Sequence, residues 1–596
     1  MQRKRQHPTA HAGAAEPRSI SKRTRFTSSQ QTDSKVDSKP VFADDDLISL
    51  LSDELLLRIL SFLPISDLLD IAPVSRRFHR LSSDSQLWRT LYYHRFVLPR
   101  ALRIPGFRNG SARESTRVHY SARRTVWADG GWGRTGGSGE FVDWKRQYKL
   151  RHNWASGKAS VEELKVGETP SAFSEPRKTF AKVVEGIAIT ADSVYGLRAW
   201  DLKTREAVAQ IGFGEGPDKT TPTCLAVDDQ SFENKTLDVL VGFLDGSFGA
   251  WRLDLKGQRF LSRYRHEKSS NGRLLEIAYR HPLVLTATES VLISLYTFER
   301  PPLTGTSAIQ RQQSETAGPE ESETDAGSES TTLQESESEA EEFSFLETGK
   351  KQNEMKASTS LLAPILLTSL KSHTSRAPLA LSIRQMASYL IASVAYTFST
   401  FEGWSIGIQD LQIRRQSAGG FTSSSVVSTR LAFAEPVRAP GLASSPPPVD
   451  SQNPRSLTQG FDGPKTLCYN HPYLLAAMAD NTLTLHVCTS TATTLNVSPG
   501  IRLWGHTSGI SDAEITARGK AVSVSSRGEE IRVWELEGRV SGKSIEVRPS
   551  PTASEPEVTP ARWDDQRNWV GFDDEMVIVL KETKDGRESL VVYDFS

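Results

Sequence analysis

The sequence predicts a multidomain chain: a small all-α module over residues 46–97, then an all-β domain over 159–596 that uses one strand motif seven times. Three observations carry this. Apolar residues recur with a helical period between 47 and 97. From about residue 160 they alternate with polar ones in short runs separated by Gly, Asp, Asn and Pro. Residues 1–43 and about 302–357 hold too little apolar surface to fold, which predicts a disordered N-terminus and a disordered insertion.

In the helical module Leu55, Leu56, Ile59, Leu60 and Leu63 lie one and four residues apart, as on one stripe of a helix. Pro64 stops that helix, and Ser66 and Asp67 can start the next, with Leu68, Leu69 and Ile71 as its apolar residues. After Pro73 the period resumes in Val74, Phe78 and Leu81, and Leu87-Trp88 closes the unit. Some fifty residues of short helices make a poor core by themselves, so the stripe is expected to meet a partner. The order Leu51, Asp53-Glu54-Leu55, Ile59-Leu60, Leu63, Asp67-Leu68, Val74-Ser75, Phe78 and Leu87-Trp88 resembles the F-box, the module that ties substrate receptors to the Skp-type adaptor of cullin-RING ubiquitin ligases. The family usually has Pro where this chain has Ser52; a Ser hydroxyl can cap the helix, and Asp53 and Glu54 suit its positive end. The resemblance implies an adaptor contact through Leu51, Leu55, Ile59, Leu60, Leu63, Leu68, Val74, Leu87 and Trp88.

Composition bounds the rest. The 596 residues allow several domains, and Lys plus Arg equals Asp plus Glu at 72 each, so overall charge points to no class of partner. Cys224, Cys468 and Cys488 form neither a disulfide framework nor a metal-ligand spacing, as expected for a reducing compartment. The first thirty residues carry no apolar run of the secretory kind. The most membrane-like stretch, Leu379 to Phe398, contains Arg384, Gln385 and several serines and reads as buried strands. A soluble protein of the cytoplasm, the nucleus or both is expected. Arg3-Lys4-Arg5 and Lys22-Arg23-Thr24-Arg25 in the tail can serve nuclear import or be ordinary basic tail residues.

Residues 98–142 are rich in Arg and Gly, with Tyr120, Trp127 and Trp132 between. A solvated linker accounts for them; RNA binding is the alternative, although no RNA-module pattern accompanies them. In 143–158, Trp144, Tyr148 and Leu150 or Arg151 sit at helical spacing and Asn153 is a good helix terminator. This connecting helix, running through Trp154 to Gly157, is similar to the segment that bridges the F-box to a propeller in related proteins.

Seven segments of the β domain pair an acidic or polar turn with an alternating strand: Ala191 to Asp201, Asp245 to Arg252, Val291 to Phe298, Gly403 to Asp410, Asp480 to Val487, Gly528 to Glu535 and Ser589 to Asp594. The sixth unit, with Gly505-His506 near its start and Trp534-Glu535 at its end, resembles a WD repeat. His506 is then the residue that hydrogen-bonds within its blade. Seven such units imply a degenerate, seven-bladed WD-repeat-like β-propeller, its third and fourth blades the weakest in pattern. Ring closure would draw the missing outer strand of the last blade from Val161 to Val166. Residues 312–349, with twelve acidic side chains and no Lys or Arg, read as a solvated loop between blades three and four; Ser336 and Ser338 each have Glu three residues on, which also suits an acid-directed kinase. A Pro/Ser-rich loop covers about 435–464.

No catalytic constellation survives a spacing check. Gly538 to Ser544 nears a phosphate-binding loop but is one residue too short and leads into a strand. No cofactor or metal is expected, and chemistry would be borrowed from a partner. The resemblance implies a non-catalytic substrate receptor of an SCF-type ubiquitin ligase, with the adaptor and cullin as partners and a protein target on the propeller. The alternative is a scaffold of the same build that directs no ubiquitylation. Propellers commonly bind through the face reached by the turns before the third strand and after the fourth. There Arg527 stands where many WD repeats place Asp, and it can be a phosphate-reading residue or a solvated side chain.

Overall fold

The computed structural model describes residues 48, 50–102, 142–166, 179–214, 221–299, 360–372, 375–386, 389–400, 403–418, 421–436, 463–491, 493–536, 544–549, 568–582 and 588–596. The basic tail, most of the Arg/Gly-rich linker, the acidic run, most of the Pro/Ser-rich loop and Gly538 to Lys543 lie outside them. The chain forms two compact units, residues 1–82 and 83–596.

The first unit holds three short helices: α1 (Asp53–Leu60), α2 (Ile65–Ile71) and α3 (Arg76–Ser82). Leu56, Leu60, Leu68 and Leu81, each at most 4% exposed, form its interior. Pro64 is the cap of α2 rather than only the stop of α1, so that helix starts one residue before Ser66. Its fixed φ suits the residue that enters a helix. Ser52 stands at the N-cap of α1 with extended backbone (φ −66°, ψ 158°) but makes no capping bond through its side chain. The neighbouring Asp53 is tied instead, accepting 2.8 Å from Arg77 Nε and paired with Arg80.

The second unit begins with α4 (Ser85–Tyr92), whose cap Asp84 accepts from the backbone N–H of Gln86 at 2.9 Å. A π-helical turn (Tyr93–Val97) and the short α5 (Leu98–Ala101) follow, and then α6 (Trp144–Ser156). The last of these passes Asn153 and ends only at Gly157, which adopts φ +70°. A Cβ there would stand 2.2 Å from the carbonyl oxygen of Glu546, so only glycine fits this turn.

From Lys158 onward the described residues are β apart from one 3-10 turn at Phe232–Asn234. The strands pair into seven antiparallel sheets, six of four consecutive strands spanning 180–211, 222–265, 274–371, 375–433, 466–503 and 510–546, and a seventh with three consecutive strands spanning 569–594. In the fifth sheet the outermost strand is broken at Ser498 to Gly500, around a proline that cannot donate to a ladder. The first strand of each sheet contacts the first strand of the next, and that of the seventh returns to that of the first, which makes a closed ring. Lys158–Lys165 supplies the fourth strand of the seventh sheet, in register Ser160↔Asp594 through Lys165↔Ser589. The architecture is a seven-bladed propeller closed by a strand from before the first repeat.

Each segment read from the sequence as a turn plus strand falls on the third strand of one sheet, the third and fourth sheets included, although the strands of blades two, four and five run on past it. Leu379 to Phe398 falls within two paired strands, Ser375–Gln385 and Leu390–Thr400. One placement is corrected. The acidic run does not separate blades three and four; its flanks, Leu292–Thr297 and Ile365–Lys371, pair with each other as the third and fourth strands of blade three. The core lies between blades. Leu197 and Ile189 of the first sheet pack with Leu237, Val239, Val241, Phe243 and Leu253 of the second, all fully buried. Each contributes on the order of 1.5–3 kcal/mol in transfer terms. Among the described residues no helix is long and apolar enough to cross a membrane.

Candidate functional site

In the helical unit the sequence stripe divides in two. Leu56 and Leu60 turn inward, 2% and 3% exposed, while Leu55 and Ile59 turn outward at 55% and 50%. Residues at i and i+4 share a face of a helix, so Leu55 and Ile59 stand side by side in solvent. Phe62, seven residues after Leu55, is 72% exposed, with the Arg58 guanidinium 4.8 Å over its ring. Leu69 and Val74 are exposed too, and Leu51 and Leu63 are partly buried. Large apolar side chains so exposed within a few dozen residues have no reason to face water in a stable monomer.

The nine residues nominated for adaptor contact therefore occupy different settings. Leu55, Ile59 and Val74 are open; Leu60 and Leu68 are interior to the first unit. Leu87 and Trp88, 5% and 3% exposed, are interior to the second. There the Trp88 ring meets Tyr148 of α6 edge-on at 5.4 Å, Tyr92 packs on Trp144 at the same distance, and Lys145 Nζ lies 5.7 Å over Trp88. These four buried side chains shape the module and offer no surface to a partner. Phe62 and Leu69, absent from the nine, do offer surface. Their signal in the sequence was apolar character at positions just off the stripe.

The connecting helix is fixed to the ring by its far end. The Trp154 ring stacks on Phe595, its Nε1 donates to the carbonyl oxygen of Asp574 at 2.9 Å, and Lys520 Nζ lies 3.2 Å from its centroid. Asn153 Nδ2 donates to the carbonyl oxygen of Phe595 at 2.8 Å, and Arg146 pairs with Glu575 at the same distance.

On the propeller, blade six carries the hydrogen bonds expected of its motif. His506 Nε2 lies 2.6 Å from Ser523 Oγ, to which Trp534 Nε1 donates at 2.9 Å. Burial, opposed by Glu530, pulls the imidazole down to about 4, so it is neutral at physiological pH. Arg527 occupies the turn between the second and third strands of that blade, followed by Gly528 at φ +69°. In the same turn of blades two and five stand Asp245-Gly246 and Asp480-Asn481, also with positive φ at the second residue. Those aspartates fold their own turns, accepting 2.6 Å from Ser247 Oγ and 2.5 Å from Thr482 Oγ1. Arg527 has no hydrogen bond or ion pair among the described residues and is exposed, leaving a free cation on that face.

Among the described residues no group of three or more His, Cys, Asp and Glu is placed to hold a metal ion. A helical module with an open apolar face, followed by a closed ring of seven four-stranded sheets, defines an F-box protein with a β-propeller. An F-box-like family model matches residues 51–94, and the model described as the F-box protein pof12 beta-propeller matches residues 159–596. The chain belongs to the F-box protein pof12 beta-propeller family. No curated protein matches it. Solved structures similar to it include U3-55K, at 7% identity and a TM-score of 0.37 over 73% of this chain and 98% of that one. The WD40 repeats of RRP9 match at 7% and 0.36 over 73% and 97%, and the designed Ika8 protein at 12% and 0.32 over 70% and 82%. At such scores they carry no argument; the propeller assignment rests on sheet order and ring closure.

Proposed function

We propose that the chain is the non-catalytic substrate-recognition subunit of an SCF-type ubiquitin ligase. The helical unit binds the Skp-type adaptor, and through it the cullin, while the propeller holds a protein target. Transfer to that target then gains from proximity, because a tethered lysine meets the charged enzyme at a high effective concentration. The observation that carries this reading is the pair Leu55 and Ile59, at least half exposed on one face of α1. Phe62, Leu69 and Val74 extend the apolar area, and Leu51 and Leu63 flank it.

The test is capture of adaptor and cullin by the full chain, comparing wild type with Leu55→Asp plus Ile59→Asp. Both positions are open, so the charges cost little until a partner buries them, where an unpaired carboxylate is expensive. Capture of both partners by wild type and neither by the variant is the expected result. Leu60→Asp also abolishes capture, but by unfolding the module, and circular dichroism separates the two cases. Adaptor without cullin would favour the scaffold. On the target side, Arg527→Ala asks whether the free cation contributes: a target whose binding depends on its phosphorylation should bind the variant more weakly. Residence in the nucleus, the cytoplasm or both is tested by imaging the chain with Arg3-Lys4-Arg5 and Lys22-Arg23-Thr24-Arg25 neutralised.

A further inference from the structure

Between blades two and three lies a cavity of about 280 Å³. Gly246, in the turn before the third strand of blade two, lines it, as does the stretch 266–271 that leads from blade two to blade three. One wall is aromatic. Phe248 and His266 stack with centroids 4.5 Å apart and planes 20° from parallel, and Tyr296 meets His266 edge-on at 5.3 Å. Three hydroxyl residues of blade three, Thr286, Thr288 and Ser294, also line the cavity. Thr286 Oγ1 donates to the carbonyl oxygen of Ser294 at 3.4 Å, and Thr288 is engaged with its own turn at Ser290 and Leu292.

Three polar groups around this space are left over. Ser294 is 5% exposed and its hydroxyl has no hydrogen-bond partner among the described residues, nor does the Tyr296 hydroxyl. His266 uses Nδ1 with the Tyr264 hydroxyl at 3.1 Å, leaving Nε2 without one. Burial holds this imidazole below its ordinary pKa, so it is neutral at physiological pH. Glu267 and Lys268 add one charge of each sign to the lining.

This lining selects a ligand by chemistry. Because Glu267 and Lys268 offset one another in the lining, a carboxylate, phosphate or ammonium would gain no net counter-charge for the water it loses, which is costly. A hydrocarbon side chain would leave the Ser294 hydroxyl unmet. The volume lies just under the roughly 300–1,000 Å³ of drug-sized pockets and is ample for one side chain. A primary carboxamide meets every demand: it is flat enough to lie on an aromatic wall, and it offers one acceptor and two donors to hydroxyls and imidazole.

We propose that this cavity is a socket for a single glutamine or asparagine side chain presented by the recruited protein. The proposal rests on the receptor reading for the source of that side chain. The test uses the full chain and four small probes, butyramide, butyrate, butylammonium and p-cresol, read by saturation-transfer NMR. Butyramide should respond most strongly. Ser294→Ala should weaken it by about 2- to 10-fold, the worth of one hydrogen bond. Ser294→Leu, which fills the space, should abolish it. Thr286→Val keeps side-chain shape and, by freeing the Ser294 carbonyl, should alter the amide response even if the leucine variant fails to fold. A stronger response from any other probe, or an amide response unchanged in the alanine and leucine variants, overturns the socket. Adaptor capture on the same samples keeps the two readings apart. No amide response with capture intact removes the socket alone; no capture with an amide response intact removes the receptor reading alone.

Discussion

Trp154 lies flat on Phe595, ring centroids 3.9 Å apart and planes 9° from parallel. One residue is in the helix before the first strand and the other follows the last, so the stack joins the connecting helix to the end of the ring. Lys520, 3.2 Å from the indole centroid, must take its opposite face. Trp154→Ala should cost about 3–5 kcal/mol, as for other buried tryptophans. Chemical denaturation of the full chain measures the loss, and faster proteolytic cleavage near Ala155 would show where it acts.

Blade four depends on an ion cluster with uneven charge. Asp410, fully buried, receives 2.6 Å bonds from Arg384 Nη2 and Ser393 Oγ, one of 3.0 Å from Ser490 Oγ, and a longer contact of 3.4 Å from Arg430. Asp410→Asn leaves two guanidiniums without their carboxylate. The expected loss is about 3–5 kcal/mol, seen as a lower denaturation midpoint. Asp410→Asn combined with Arg430→Met should recover part of it; no recovery would mean that Arg430 carries little of the strain.

Acid should weaken blade six. His506 falls to about 4 in the folded chain against 6.5 in a free histidine, so the folded state binds fewer protons between those values. Its contribution is whole above pH 6.5 and is lost as pH falls toward 4, by as much as about 3 kcal/mol. Asp512, pushed up to about 6 by burial, works the other way between pH 6 and 3.8. The difference in slope between wild type and His506→Gln isolates the histidine. Equal slopes in the two proteins would show that His506 titrates normally.

Deleting 312–349 should leave the melting transition nearly unchanged. The strands on either side, Leu292–Thr297 and Ile365–Lys371, pair directly, so the deletion only shortens a loop that is already closed. Loop-closure entropy changes by about 0.7 kcal/mol for such a cut, in the direction of a slightly more stable fold. A drop of several degrees would mean that the acidic run packs on the ring.

Much of this architecture is written in period-two alternation. Several third strands announce themselves because an Asp or Gly turn precedes an alternating run, as in Asp245 to Arg252, where Asp245-Gly246 leads into Phe248 to Trp251. The closing strand was legible because Val161 to Val166 precedes a repeat array whose last unit lacks a partner. The position of the acidic run was not. Ile365–Lys371 (ILLTSLK) has no clean alternation, and most of its residues are only partly buried or exposed, so nothing in it marks the end of blade three. The helical module shows a different limit. Leu55 and Leu56 are adjacent and equally apolar, and a helical stripe does not say which side of its width meets the core; Leu81 and Leu68 decide that only in three dimensions. The cavity was hidden for a similar reason. Phe248 and Tyr296 come from different blades, and no spacing rule links them.

The closing strand also sets an order of events at the ribosome. Ser160 and Asp594 are 434 residues apart. At 5–20 residues per second, about 20–90 s separate the emergence of the first from that of the second. For most of that interval Lys158–Lys165 has no neighbour to zip against, and its open edge invites pairing with any other extended chain. The helical unit thus emerges well before the ring can lock, and chaperone demand should fall on this waiting strand.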